Sequence, residues 1–208
     1  AWALPGGKIA IHRGLLTELK SEAELAAVLS HEIVHAAAKH GAKSMQRGML
    51  LQSTIALAGA AAENSSYTEY AERAAELGAT LINTKYGRDA ERESDLYGMN
   101  YMTRAGYDPM GAVDLQQTFV NISRNRQSNT LAPLFASHPP SKERLTRNRA
   151  HAATLPNGGA RGTARYQQVM QHLRTTKPAY QAYEKATAAF AEADFAAAQA
   201  LALSLIHI

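Results

Sequence analysis

The chain has 208 residues, of which 46% are hydrophobic, and its formal net charge at pH 7 is +4. This hydrophobic content suffices for a packed core, and the absence of cysteine excludes disulfide bridges and thiolate metal sites. Leu and Ala are abundant while Val, Ile and aromatic residues are sparse, which predicts a mainly helical protein.

The first predicted elements are two short strands, at 2–4 and 8–12, that flank the turn Pro5-Gly6-Gly7. This hairpin makes the predicted fold class α+β, mainly helical with a small edge sheet. A free edge of such a hairpin can receive an extended polypeptide by strand addition, and an ordinary capping hairpin is the alternative.

The next predicted element is one helix over 21–40. Ser21 and Glu24 fit a capping box at its start, and Gly41 is a typical stop at its end. The helix carries the motif His31-Glu32-Ile33-Val34-His35.

The motif has the spacing of a hydrolytic metal site. Two histidines four positions apart project from one face of a helix, so both imidazoles can reach one Zn²⁺. Glu32 follows the first histidine directly and is placed to take a proton from a water on the metal. A surface helix that carries two histidines by chance is the alternative.

A third protein ligand is expected, because catalytic zinc usually binds three side chains and one water. Glu91 and Asp95 lie at i and i+4 of a predicted helix, so both point the same way. Glu91 could complete the metal site, and Asp95 could accept the outer N–H of a ligating histidine. Glu93 is the rival ligand on a different face, and a solvated acidic turn paired with nearby arginines is the alternative.

Two further features are expected to be structural. The apolar run 49–62 is too short to span a bilayer, which takes roughly 20 residues, so we expect a buried helix beside the metal site. Five other histidines lack partners at ligand spacing and are expected on the surface or in the core: His12, His40, His151, His172 and His207.

The rest of the chain is predicted to be helical with short breaks. A basic segment near 141–150 lacks interleaved aromatic residues, which favours a solvated helix face over a nucleic-acid surface; an anionic membrane or an acidic partner is an intermediate option. The predicted domains are 1–150, a flexible linker at 151–163 and a helical segment at 164–208. The predicted elements are helices over 42–62, 67–78, 88–105, 109–124, 141–150, 164–174 and 179–206, with a loop at 125–139.

Four segments in this order resemble peptidase family M48, and together they span residues 1–149. They are residues 1–7, the H-E-x-x-H helix, Glu91-x-x-x-Asp95, and Ser137-His138-Pro139-Pro140 followed by Glu143-Arg144-Leu145. The resemblance implies a zincin-like metallopeptidase domain with the hairpin at the rim of its cleft. Because the sequence begins inside that hairpin, we expect a preceding segment and any leader to be missing from it.

The resemblance also assigns roles to residues. It implies that His31, His35 and Glu91 bind zinc and that Glu32 is the general base and acid. It also implies that Asp95 does not bind the metal itself but supports a residue that does. It implies roles for His138 and Arg144 near the metal. Both are candidates to stabilise the oxyanion of the transition state.

His138 has a second candidate role. A neutral imidazole on a loop can occupy the open position of zinc as a fourth ligand and exclude water, and the family resemblance suggests such self-inhibition. A loop histidine without a role is the alternative.

The tail resembles one tetratricopeptide unit, in which Ala186 and Ala198 allow close helix contact and Asp194 marks the turn. One unit cannot bury its own face, so the alternatives are the first unit of a longer array and a simple helical hairpin.

The resulting function hypothesis is a zinc endopeptidase that cleaves misfolded or stalled envelope proteins, periplasmic by family analogy. The expected partners are an extended polypeptide substrate and a protein bound by the tail, with no nucleic acid; association with a membrane is left open. A chaperone or adaptor with a dormant metal site is the second hypothesis, and a nucleic-acid-binding protein, testable by the salt dependence of DNA binding, is the third.

Overall fold

A computed structural model of the protein describes residues 1–4, 6–61, 87–125 and 131–204. These residues form two compact units, Ala1–Thr163 and Ala164–Ile208. The described part is mainly helical with one two-stranded sheet, which confirms the predicted composition of the fold. The helix predicted over 67–78 lies outside the described residues.

The first unit begins with the predicted hairpin. Strands β1 (Trp2–Ala3) and β2 (Ile9–Ala10) pair antiparallel, with Trp2 opposite Ala10. The turn requires positive φ at Gly6 (91°) and Gly7 (82°), a conformation that glycine adopts without steric cost. Helix α1 (Arg13–Glu18), which the sequence analysis did not predict, follows and buries Leu15 completely.

Helix α2 (Glu22–Ala37) starts where the capping residues predict. The Ser21 hydroxyl accepts a hydrogen bond from the backbone N–H of Glu24 at 3.2 Å. The Glu24 carboxylate accepts from the N–H of Lys20 at 2.8 Å rather than from Ser21, so the box is shifted by one residue.

The predicted end of this helix is wrong. Lys39 has φ 56°, a left-handed conformation that ends α2 at Ala37 and starts helix α3 (His40–Ala61). Gly41 therefore lies inside α3 instead of stopping α2. The expected buried helix is also wrong over its described part, since Met49 and Leu50 are each 62% exposed.

Helix α4 (Arg88–Arg104) packs against α2 and carries the second acidic motif. The two backbones come close at Gly98, where a Cβ would lie 3.1 Å from the backbone nitrogen of His31. The absence of a side chain at this position therefore sets the distance between the two helices that carry the predicted metal ligands.

Three more helices complete the first unit. Helix α5 (Met110–Asn125) packs against α2, and α7 (Lys142–Ala152) packs against α4 and α5. The predicted loop at 125–139 contains the short helix α6 (Ala132–Ser137) with a proline in its first turn, where proline is tolerated. The buried apolar side chains between these helices include Val28, Val34, Met99, Met102, Val113, Leu115, Phe119, Leu134 and Leu145.

The segment predicted as a flexible linker is tied to the first unit. Ala160 forms a parallel bridge with Tyr107 and accepts a hydrogen bond from the N–H of Asp108 at 3.1 Å. Arg161 accepts from the N–H of Ala23 through its carbonyl oxygen, and its guanidinium contacts Asp108 and Asp114. These contacts place the boundary between units after Thr163.

The second unit is helical throughout its described part. Its helices are α8 (Thr163–Val169), α9 (Gln171–Thr175), α10 (Lys177–Ala191) and α11 (Phe195–Ser204). Ala186 of α10 and Ala198 of α11 are buried where these two helices pack together, and Asp194 accepts from the N–H of Ala197 at the start of α11. One hairpin of this kind does not decide between a tetratricopeptide array and a simple pair of helices. Of the helices described in either unit, none combines the length and apolar character needed to cross a membrane.

Candidate metal centre

Four segments of the first unit bring the predicted site residues together. Helix α2 supplies His31, Glu32 and His35, α4 supplies Glu91 and Asp95, the end of α6 supplies His138, and α7 supplies Arg144. All except His31 are less than 10% exposed. The H-E-x-x-H spacing thus places its polar side chains inside the unit, facing the acidic helix.

The donor atoms of His31, His35, Glu91 and His138 form one compact cluster. His31 Nε2 lies 3.0 Å from His35 Nε2 and 3.3 Å from His138 Nδ1. Glu91 Oε1 lies 3.2 Å from His35 Nε2 and 2.9 Å from His138 Nδ1. Ligand atoms on a tetrahedral zinc with bonds near 2.0–2.1 Å are about 3.3 Å apart, so this cluster fits one such ion with small adjustments.

The protonation of the cluster also suits a cation. Burial lowers the pKa of His35 to about 3, which keeps the ring neutral, as a metal ligand must be. Burial opposes ionisation of Glu91, but hydrogen bonds and charge from His138 and His31 hold its pKa well below the usual value. The site therefore offers a neutral imidazole at His35 and an anionic carboxylate at Glu91.

Glu32 lies beside the cluster. It is 2% exposed, and its Oε1 is 3.6 Å from His138 Nε2. Its Oε2 is buried and accepts no hydrogen bond from the residues that the structure describes. A buried carboxylate oxygen without a donor is costly, and a metal-held water would satisfy it whenever His138 leaves the cluster, so the residues present fit a bound zinc.

Asp95 and Arg144 support the cluster through contacts with His31 and Glu91. Asp95 Oδ1 lies 3.1 Å from His31 Nδ1. Because a carboxylate only accepts hydrogen bonds, this contact puts the proton on Nδ1 and leaves the Nε2 lone pair facing the cluster. Arg144 donates to both oxygens of Asp95, from Nε at 2.8 Å and from Nη2 at 2.6 Å, and its Nη1 lies 2.8 Å from Glu91 Oε2.

These contacts also explain the directions in which the pKa values of Asp95 and His31 are shifted. Burial alone would raise the pKa of Asp95 and lower that of His31. Hydrogen bonds donated by Arg144 and His31 to Asp95, with their charges, outweigh burial there and lower the pKa of Asp95. At His31, the hydrogen bond that its ring donates to Asp95 and the charges of Glu91 and Asp95 outweigh burial and raise the pKa. Arg144 thus contacts both the predicted ligand Glu91 and Asp95, which accepts a hydrogen bond from the ligand His31.

One part of the site was missed by the sequence analysis. His40 is 6% exposed, and its Nδ1 lies 3.0 Å from His35 Nδ1. Its Nε2 lies 3.3 Å from Glu93 Oε2, so His40 is a core histidine outside the donor cluster, as expected, but it contacts the predicted ligand His35. Glu93, the rival ligand, contacts His40 and is outside the donor cluster. The contact between His40 and His35 was not predicted because 21–40 was expected to be one helix, which puts His40 out of phase with the motif.

Comparison with known proteins adds independent information. The sequence profile described as peptidase family M48 matches residues 1–152. A Vibrio cholerae protease named for enhancing beta-barrel assembly is 31% identical over 75% of this chain and 33% of its own length. The mitochondrial metalloendopeptidase OMA1 of Schizosaccharomyces pombe is 32% identical over 70% of this chain and 41% of its own. The metalloprotease LoiP of Escherichia coli is 28% identical over 69% of this chain and 55% of its own.

The chain thus spans between about a third and about half of the length of these three relatives. The segment that matches the family profile includes every predicted metal ligand, and it includes Arg144 of α7.

Proposed function

Since this chain belongs to peptidase family M48, whose members are zinc metallopeptidases, we propose that it is a zinc-dependent endopeptidase that hydrolyses misfolded or stalled envelope proteins. The observation that carries the proposal is the convergence of His31, His35 and Glu91 on one point with Glu32 beside it. Bound zinc supplies a water with a pKa near 7 and polarises the scissile carbonyl.

The side chains of the protein then handle protons and orientation. Glu32 Oε2 takes the proton of the attacking water and passes it to the leaving amine. Asp95 and Arg144 hold His31 and Glu91 in place through the contacts described above, so we assign Arg144 a positioning role ahead of direct contact with the oxyanion.

We propose that His138 inhibits the enzyme by occupying the fourth ligand position. Its Nδ1 lies at ligand spacing from both His31 and Glu91. A ring held there excludes the water that the reaction needs, so hydrolysis requires His138 to move away. Stabilisation of the oxyanion by His138 is the competing role.

Resemblance and surface chemistry support the proposed substrate and location. A relative named for beta-barrel assembly favours the bacterial envelope, and the periplasm as the compartment. In the second unit Tyr183, Phe190 and Phe195 are each at least 61% exposed, which favours a protein partner for the tail. That observation also supports the second candidate, an adaptor that works through the tail with a dormant metal site.

Zinc analysis paired with casein cleavage tests the proposal. We expect bound zinc in the native chain and in Glu32→Gln, with cleavage lost by at least about 100-fold in the variant, as for loss of a general base. Glu184→Gln, the same change at an exposed position of α10, is the control and should cleave normally. Zinc without cleavage in native chain and His138→Ala alike would favour the adaptor.

A further inference from the structure

We propose that His40 and Glu93 form a hydrogen-bonded chain behind His35 that fixes the tautomer and orientation in which this ring binds metal. This positioning role rests on the proposed zinc site. Neither residue belongs to the H-E-x-x-H or E-x-x-x-D motif.

The break between α2 and α3 creates the contact. In an uninterrupted helix, residue 40 would lie about 140° around the axis from residue 35, pointing away from it. The left-handed Lys39 turns the chain, so His40 starts a new helix and packs back on His35. The two ring centroids are 4.9 Å apart with planes at 77°, and the facing atoms are both Nδ1.

The direction of these hydrogen bonds follows from Glu93, the last of the three hydrogen-bonded groups. Glu93 Oε2 can only accept, so His40 Nε2, 3.3 Å away, carries a proton. With the proton on Nε2, the Nδ1 of His40 offers a lone pair to His35 Nδ1 at 3.0 Å. His35 then donates from Nδ1 and keeps its Nε2 lone pair for the donor cluster, which is the tautomer that metal binding requires.

Ser94 is a competing donor to His40, and its distance argues for a minor role. Its Oγ lies 3.4 Å from His40 Nδ1, which is long for a hydroxyl hydrogen bond. The contact from His35 is shorter by 0.4 Å. Of these two groups, His35 is therefore the closer donor to His40 Nδ1.

The two motif histidines reach a supporting carboxylate through different numbers of hydrogen bonds. His31 donates directly to Asp95, whereas His35 reaches its carboxylate through His40. The Asp95 side chain is 9% exposed and that of Glu93 is 47% exposed. We therefore expect most of the effect on His35 to come from His40 and less from Glu93, because solvent screens the exposed carboxylate.

Zinc affinity, measured by competition with a chromophoric chelator on the full chain, tests the role without using catalysis. We expect His40→Ala to weaken zinc binding by about 10- to 100-fold, the usual effect of removing a group that supports a ligand. His40→Gln, whose amide oxygen can accept the same N–H, should recover most of the affinity. Glu93→Ala should cost only about two- to five-fold.

His172→Ala is the matched control, because it truncates an exposed histidine of α9. Its zinc affinity should equal that of the native chain. An affinity of folded His40→Ala within about twofold of native would overturn the proposal. Loss of affinity in His40→Gln equal to that in His40→Ala would also overturn it, since only packing would then matter.

Nitrogen-15 NMR of the histidine rings in the zinc-loaded native chain tests the tautomer directly. We expect His35 to carry its proton on Nδ1 and to show a downfield, slowly exchanging N–H. A proton on His35 Nε2, or an Nδ1–H that exchanges freely with solvent, contradicts the proposal even if His40→Ala does not fold. If the native chain binds zinc as expected but cleaves no peptide, the proposed function fails while the positioning role stands.

Discussion

The ion pair between Asp95 and Arg144 joins two buried side chains through two hydrogen bonds. Removing Asp95 would take both of these hydrogen bonds from the buried Arg144 and leave its contact with Glu91, and breaking a buried pair in this way is costly. We therefore expect Asp95→Ala to lower the free energy of unfolding of the metal-free protein by about 3–5 kcal/mol, measured by urea denaturation.

The control for this change lies on the same helix. Asp89 also pairs with an arginine, Arg92, but its side chain is 97% exposed. We expect Asp89→Ala to cost less than about 1 kcal/mol, as exposed ion pairs do. Equal losses in Asp89→Ala and Asp95→Ala would contradict the assignment of a structural role to the buried pair.

Glu24 gives a pH dependence of stability. Burial raises its pKa above the model-peptide value of 4.5, against the opposing hydrogen bond from Lys20. A raised pKa means that the folded state disfavours the ionised form, so the stability that this group contributes is present below pH 4.5 and is lost as the pH rises through the folded pKa. Glu24→Gln should remove that loss, because the amide oxygen can still accept from Lys20.

Urea midpoints at pH 4.5 and pH 7.5 measure this effect. The native chain should lose more stability between the two values than Glu24→Gln does. Glu22→Gln, in the same helical turn but with a partly exposed side chain, should retain the native dependence. If the stability of Glu24→Gln changed with pH in parallel with that of the native chain, groups other than Glu24 would set the pH dependence.

At the scale of elements, the close approach of α4 and of α5 to α2 depends on glycine, at Gly98 of α4 and Gly111 of α5. A Cβ at Gly98 would lie 3.1 Å from the His31 nitrogen, and at Gly111 it would lie 2.6 Å from Ala23, at the other end of α2. We expect both Gly98→Ala and Gly111→Ala to destabilise the protein, by about 1–3 kcal/mol for overpacking. Only Gly98→Ala should also weaken zinc binding, since it alone displaces a ligand.

Thermal denaturation and chelator competition on both variants measure the two effects separately. Equal zinc affinity in both variants would mean that α4 can shift without moving Glu91 relative to the histidines.

Elements with a strong local pattern were predictable from the sequence. Ser21 and the i, i+4 pairs located α2 and α4, because capping and helical spacing act over a few residues. The break at Lys39 was not predictable in this way, since lysine has no preference for a left-handed conformation. Treating 21–40 as one helix then concealed the contact between His40 and His35, which depends on that break.

At the scale of the whole molecule, the family resemblance drawn from four motifs is confirmed by the match over residues 1–152. The motifs could indicate the ligands because each uses short, fixed spacing. They could not indicate that Arg144 reaches Asp95 across 49 positions of sequence, because this contact depends on how α7 packs against α4. The extent of a tetratricopeptide array stays a prediction.

Metal binding should stabilise the first unit, because zinc would join side chains of α2, α4 and the end of α6. At free zinc about 100-fold above its dissociation constant, the gain is roughly 2.7 kcal/mol. We expect a chelator to lower the melting temperature and zinc to restore it. Glu91→Gln should show a much smaller shift, and a native chain whose melting temperature ignores the chelator would contradict a zinc site in this unit.

The donor cluster also sets an order of events during synthesis. His31 and His138 stand 107 positions apart yet lie 3.3 Å from each other. A growing polypeptide that has released only α2 can offer two imidazoles to an ion, and the carboxylate arrives some sixty residues later. On the proposed ligand set, the hydrolytic centre can therefore form only after translation has passed position 91, and the ring proposed to inhibit it follows 47 positions later.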